Sequence, residues 1–179
     1  MAVPANIILG DGVFSIGATS TAATALALTR GGGNFTVERE YRNIPADGDF
    51  GPVKSRTRLI NEVAKLNMKG LEIVPASMED YFPAMSAAAT TGSTTSTFST
   101  RSLTTNITTE DYQYVQWLGY NKAGRQVLIA LDNAINLENL SWDLIDKDEV
   151  INEMTFQATY LETARTTAPW KVYFTTTSS

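Results

Sequence analysis

The carboxylates are where any chemistry would have to reside, because the commoner catalytic side chains are missing. The 179-residue chain has no histidine and no cysteine. That removes the usual general base, the usual transition-metal ligand and all thiolate or disulfide chemistry. Glu38 and Glu40 lie two apart in an alternating charged run and would share one strand face, an arrangement open to reading as a glycosidase acid pair. Folded about Gly48 as an antiparallel hairpin, the same stretch sets Glu40 opposite Arg56, Glu38 opposite Arg58 and Val37 opposite Leu59. Arginines in those places keep both carboxylates ionised and take away the raised-pKa acid that the mechanism needs. Asp47-Gly48-Asp49 has oxygen ligands for a hard cation, yet a tight turn explains it more simply. Asp146-Lys147-Asp148-Glu149 lacks the glycine and the ligand spacing of a calcium loop. Arg30-Gly31-Gly32-Gly33 lacks the lysine and the following helix of a phosphate-binding loop, and reads as a turn. These residues argue for a structural protein rather than an enzyme, with no cofactor and no metal expected.

The elements that must position these charges raise a problem of length. A straight strand over residues 53–74 would span on the order of 70 Å at ~3.3 Å per residue. A globule of this chain length is only about 40 Å across. Either the strand bends or it leaves the globule to meet another subunit. Leu59, Ile60, Val63 and Leu66 recur at helical spacing, so residues 58–69 read as helix or as strand. Read as strand, the apolar face switches after Val63 to Ala64, Leu66 and Met68, as a bulge would make it do. The connection 43–52 is long for a hairpin, and long loops in compact domains tend to be functional. Asp47, Asp49, Phe50 and Pro52 are its candidates for a contact between subunits, with Phe50 as the apolar anchor.

Composition bounds the remainder. A hydrophobic content of 43% is enough for a core in one domain spanning 1–179, and a net charge of −5 excludes binding of nucleic acid by bulk phosphate neutralisation. The apolar run near the N-terminus is too short for a signal peptide or a membrane span, so synthesis in a cytosol without membrane insertion is expected. Ile7–Leu9 and Val13–Ile16 are short apolar runs split by a Gly10-Asp11-Gly12 turn. Ser77 and Asp80 open a short helix carrying Met78, Phe82 and Met85, limited by Pro83. Residues 86–109 are Ser/Thr-rich and read as a surface stretch, part of it extended. Residues 112–120 and 125–137 flank a hairpin connection; Met154, Phe156, Ala158 and Tyr160 alternate with polar residues; Trp170, Val172 and Phe174 share a face of a last strand. Phe156 and Trp170 are the core candidates. The whole is a mainly β sandwich or barrel with one short α-helix.

The order of these pieces carries a resemblance. Arg30-Gly31-Gly32-Gly33, then residues 35–42 (Phe-Thr-Val-Glu-Arg-Glu-Tyr-Arg), then Asp47-Gly48-Asp49-Phe50-Gly51-Pro52-Val53-Lys54, resembles the N-terminal half of tail tube (major tail) proteins of long-tailed bacteriophages. The short helix, the Thr-rich stretch into Asp111-Tyr112-Gln113, the strand Val115-Gln116-Trp117-Leu118-Gly119 and the final Pro169-Trp170-Lys171-Val172 follow in the same order. The resemblance implies a β-sandwich subunit of the virion, assembled in the host cytoplasm, whose hexameric rings stack into a tube around a tape measure protein. Tail terminator and baseplate proteins are further implied partners, and DNA passes through the lumen without specific binding. Each subunit would lend about four strands to a shared barrel, and 24 strands ~4.8 Å apart, tilted ~45°, close with a bore of roughly 40 Å. A wall of the phosphates' own sign keeps DNA moving; Glu62, Glu72, Asp132, Glu138 and Asp143 are the candidates for unpaired lumen acid. Two alternatives stand beside this reading. One is the inner tube of a contractile tail, a tailocin or a type VI-like system. The other is a carbohydrate-binding sandwich using Tyr112, Tyr114 and Trp117.

Overall fold

Strict alternation of apolar and polar residues sets most of the architecture. In the computed structural model, which describes residues 7–26, 28–72, 78–86, 89–92, 97–100, 104, 106–142, 144, 146 and 148–175, the chain is mainly β. Strand β1 spans Ile8–Gly17, β2 Thr24–Ala25, β3 Thr29–Asn43 and β4 Thr57–Gly70. A single helical turn, α1 (Met78–Tyr81), precedes the small hairpin of β5 (Ala89–Gly92) and β6 (Thr97–Thr100). Then come β7 (Gln113–Asn121), β8 (Gln126–Asn136), β9 (Asn152–Ala158) and β10 (Trp170–Phe174). Period-two burial is clean where a strand faces the core: Ala64, Leu66, Met68 on β4, Val115 and Trp117 on β7, Met154, Phe156, Ala158 on β9. The stretch 58–69, which periodicity left open between helix and strand, is strand throughout.

The main sheet is antiparallel in the order β2-β1-β7-β8-β9-β4-β3, with β10 added beside β8. One strand serves both halves. Residues 127–131 of β8 pair with β10, whereas Ala134, Ile135 and Asn136 pair with β9 along the same edge. Between them Asn133 takes a left-handed backbone (φ 49°), and its carbonyl accepts from the Thr159 amide (3.2 Å) and hydroxyl (2.6 Å). The sheet thus folds over at Asn133 into two layers. Phe14, Ile16, Val115, Trp117, Val127 and Leu131 share one core with Leu66, Met68, Met154 and Phe156, and Tyr81 and Phe82 belong to it. Buried Asn136 donates to the Tyr81 carbonyl (2.9 Å), which ties α1 to this core.

Three sequence expectations are corrected. The glycines at 10 and 12 do not divide two strands: β1 runs through them, and its register against β7 slips between Ile8 and Gly12. Trp117 explains the need for glycine there, since a Cβ at Gly12 or Gly119 would lie 2.3 Å or 2.2 Å from its indole. The run Gly31-Gly32-Gly33 is likewise an irregularity inside β3 rather than a turn, with positive φ at Gly31 and Gly32. The helix is shorter than 78–85 because Pro83 ends it, and the Ser77 cap falls outside the described residues.

Candidate assembly surface

Beyond the core, β3 and β4 continue alone. β9 covers β4 only from Lys65 to Gly70, so among the described residues Thr57–Ala64 have β3 as their one strand neighbour. β3 ends the sheet order, and among the described residues no strand pairs with its outer edge. The result is a two-stranded arm whose far half is solvent-exposed on both faces: Tyr41 is 58% exposed, Leu59 49% and Ile60 53%. Tyr41 faces Leu59, but Glu40 faces Asn61, so Ile60 is the extra residue of a bulge. The bulge lies three residues before the change of apolar face that the sequence pattern shows after Val63.

The arm ends in a loop held by its own side chains. Ile44 donates to the Arg56 carbonyl (3.2 Å), closing the ladder, and Gly48 and Ser55 supply left-handed turns at φ 88° and 75°. Asp49 accepts from the Ala46 amide (2.8 Å) and from Arg56 Nη1 (2.6 Å), so its carboxylate clasps the loop from within. Asp47, Phe50 and Pro52 are exposed, and Phe50 extends fully into solvent.

The charge pairs expected across this hairpin are not the ones formed. A pivot at Gly48 sets Glu38 against Arg58 and Glu40 against Arg56; the structure sets Glu38 against Val63, Glu40 against Asn61 and Arg42 against Arg58. The loop contains two turns instead of one, which moves its centre towards Phe50 and shifts the register by four or five residues. The ion pairs are instead Glu38–Lys65 (2.9 Å), Asp49–Arg56 (2.6 Å) and Arg39–Glu62 (2.7 Å). Arg42 and Arg58, like charges directly opposed, meet no carboxylate among the described residues.

Glu62 is correspondingly not an unpaired acid. Its two oxygens accept from Arg39 Nε (2.7 Å) and from the Trp170 indole N–H (2.7 Å), and its side chain is only 9% exposed. Hydrogen bonding to Glu62 above all raises the Arg39 pKa further beyond its ordinary range. Trp170 is half-buried, with Phe35 at 5.8 Å between ring centroids and the Arg39 guanidinium 6.0 Å from its own ring. Phe156 is fully buried. Sequence reasoning paired none of these three residues; the parity of Glu62 with Ala64 and Leu66, inward positions of β4, was the available signal. Asp132 lies 3.7 Å from Lys171, Glu72 and Glu138 are exposed, and Asp143 falls outside the described residues. The outward face of β3-β4-β9 carries Lys65 and Lys69, bound by Glu38 and Glu153 (2.9 and 3.5 Å), with Asn67 donating to Thr155 (2.9 Å).

β1 and β3 share no ladder among the described residues, but side chains span the gap between them. At Gly33 a Cβ would lie 2.5 Å from the tip of the Phe14 ring, so the glycine leaves room for that side chain to reach β3. Beside this seam lies a cavity of about 200 Å³ lined by Leu9, Gly10, Phe14, Phe35, Leu66 and Trp117 among others. Trp117 is 9% exposed and packed in the core, which removes it from the aromatic surface expected of a carbohydrate-binding module.

No protein-family model matches the sequence, and no curated protein does. Among solved structures, the chain is similar to the tube-terminating cap of an anti-feeding prophage seen by cryo-electron microscopy, with a TM-score of 0.49 and 10% identity over 98% of this chain and 95% of that one. A likeness at this level carries no functional argument.

Proposed function

We propose that this chain is a structural subunit that polymerises with copies of itself, as stacked hexameric rings of a tail tube through which DNA is delivered. The observation that carries the reading is the arm: two strands that leave the body, the far half exposed on both faces, with an outer edge that no strand pairs among the described residues. Such an edge is a template for another chain, and proteins that remain monomeric cover or blunt it. The layer that includes the arm has four strands (β3, β4, β9 and the end of β8), the number each of six copies would lend to a 24-stranded barrel. Over the core its outward face offers little to phosphate, because both lysines there are bound by carboxylates; Arg42 and Arg58 lie farther out on the arm. The chain would then act by shape and self-contact, without catalysis, in a tail assembly with tape measure, terminator and baseplate partners.

Light scattering and electron microscopy of the purified protein over a wide concentration range test this. Rings or tubes are the expected outcome. Compact monomers at every concentration would overturn the reading.

A further inference from the structure

We propose that the cavity at the β1/β3 seam is the socket for the arm tip of a second copy, with the Phe50 ring as the inserted group. This rests on the assembly reading above and specifies which surfaces meet. Phe50 is wholly exposed at the tip, whereas the cavity is walled mainly by Phe14, Phe35, Leu66 and Trp117. Its volume of about 200 Å³ suits one aromatic ring, since an apolar cavity of ~150 Å³ accepts benzene.

A chain cannot fill its own socket. The cavity touches β3 at Gly33, Asn34 and Phe35, and from Asn34 to Asn43 the strand is held extended by β4. At ~3.3 Å per residue that places the start of the tip loop on the order of 30 Å away. The occupant must therefore come from another molecule. A second copy of this chain is the fitting partner, because the same chain presents a wholly exposed phenyl ring at the end of its arm and an apolar cavity of matching size on its body. Tip and socket are different surfaces, so each copy offers one and requires one. Such a head-to-tail contact does not terminate in a dimer; it continues as a ring or a filament.

The absence of cysteine allows a direct test. Gly10 lines the socket and Gly51 follows Phe50; at both, an added Cβ meets nothing within 4 Å, and neither has a positive φ. Gly10→Cys and Gly51→Cys therefore place thiols at socket and tip while retaining Phe50. On oxidation under assembling conditions, the double variant is expected to give a ladder of disulfide-linked oligomers. The two single variants should cross-link only when mixed. Dimers of Gly51→Cys alone would mean that tips meet tips, and would overturn the proposal. So would tubes of the double variant without a ladder, an outcome that leaves the assembly reading intact. Wild-type protein that never assembles would remove both. Phe50→Ala should raise the concentration at which assembly begins by on the order of tenfold or more, with unchanged monomer melting; an unchanged onset also overturns the socket.

Discussion

Glu62 joins three strands through two oxygens, and its surroundings determine what substitutions there cost. Trp170→Ala removes a half-buried indole and leaves Glu62 one donor short, so unfolding stability should fall by about 2–3 kcal/mol, below the loss for a fully buried aromatic. Trp170→Phe keeps most of the ring packing and loses only the N–H, for which about 1 kcal/mol is expected. Equal losses for the two variants in urea titrations would show that the hydrogen bond contributes nothing. Arg58 offers the opposite sign. It faces Arg42 across the arm, so Arg58→Glu should raise monomer stability by a few tenths of a kcal/mol. Unchanged or lower stability in urea titrations would contradict that. Tyr114 and Tyr160 link stability to alkaline pH. Desolvation, aided by Asp132 next to Tyr114 and Glu62 near Tyr160, raises both phenols above the ordinary value of 10.0. The native chain therefore holds these protons more tightly than the unfolded chain. Their contribution is complete below pH 10 and is lost as pH rises through the higher native values. Tyr114→Phe should reduce the decline in stability as pH rises above about 10; an unaltered decline would exclude this phenol as a cause.

At the scale of elements, the arm loop is separable from the fold. Residues 46–51 make no contribution to the core, and their deletion with a short turn should leave a folded, soluble monomer. Circular dichroism and light scattering together check this; tubes formed by the deletion variant would show that the loop is dispensable for assembly. The same loop marks how far the sequence could be read. Alternation over 154–160 and the shared face of Trp170, Val172 and Phe174 announced β9 and β10, and the hairpin connection after 112–120 announced β7. Register in β3 and β4 was not legible beyond the core, since exposed residues such as Arg42, Tyr41 and Leu59 are not bound to a face. Gly48 was read rightly as a turn, but Ser55 gives no comparable signal for the second turn that moves the pairing. The bend of β8 was invisible for a similar reason: a lone Asn133 in left-handed geometry looks like any asparagine. The seam was hidden too, because nothing in β1 and β3 taken singly says that Gly33 will meet Phe14.

At the scale of the molecule, the net charge of −5 and the exposed apolar tip oppose each other. Copies repel at a distance and adhere at contact, so added salt screens the repulsion and leaves the apolar contact in place. Raising sodium chloride from about 20 mM to about 500 mM, which shortens the screening length several-fold, should lower the concentration at which assembly begins. Dissolution of assemblies by salt would instead point to ionic contacts. The manner in which β4 is anchored has a mechanical consequence. A pull on the arm runs lengthwise along β4 into its ladder with β9, from Lys65 to Gly70. Loaded in shear, those hydrogen bonds stretch together and must rupture together, whereas a peeled edge opens one bond at a time; a bending filament of such subunits would transmit tension through its strongest direction.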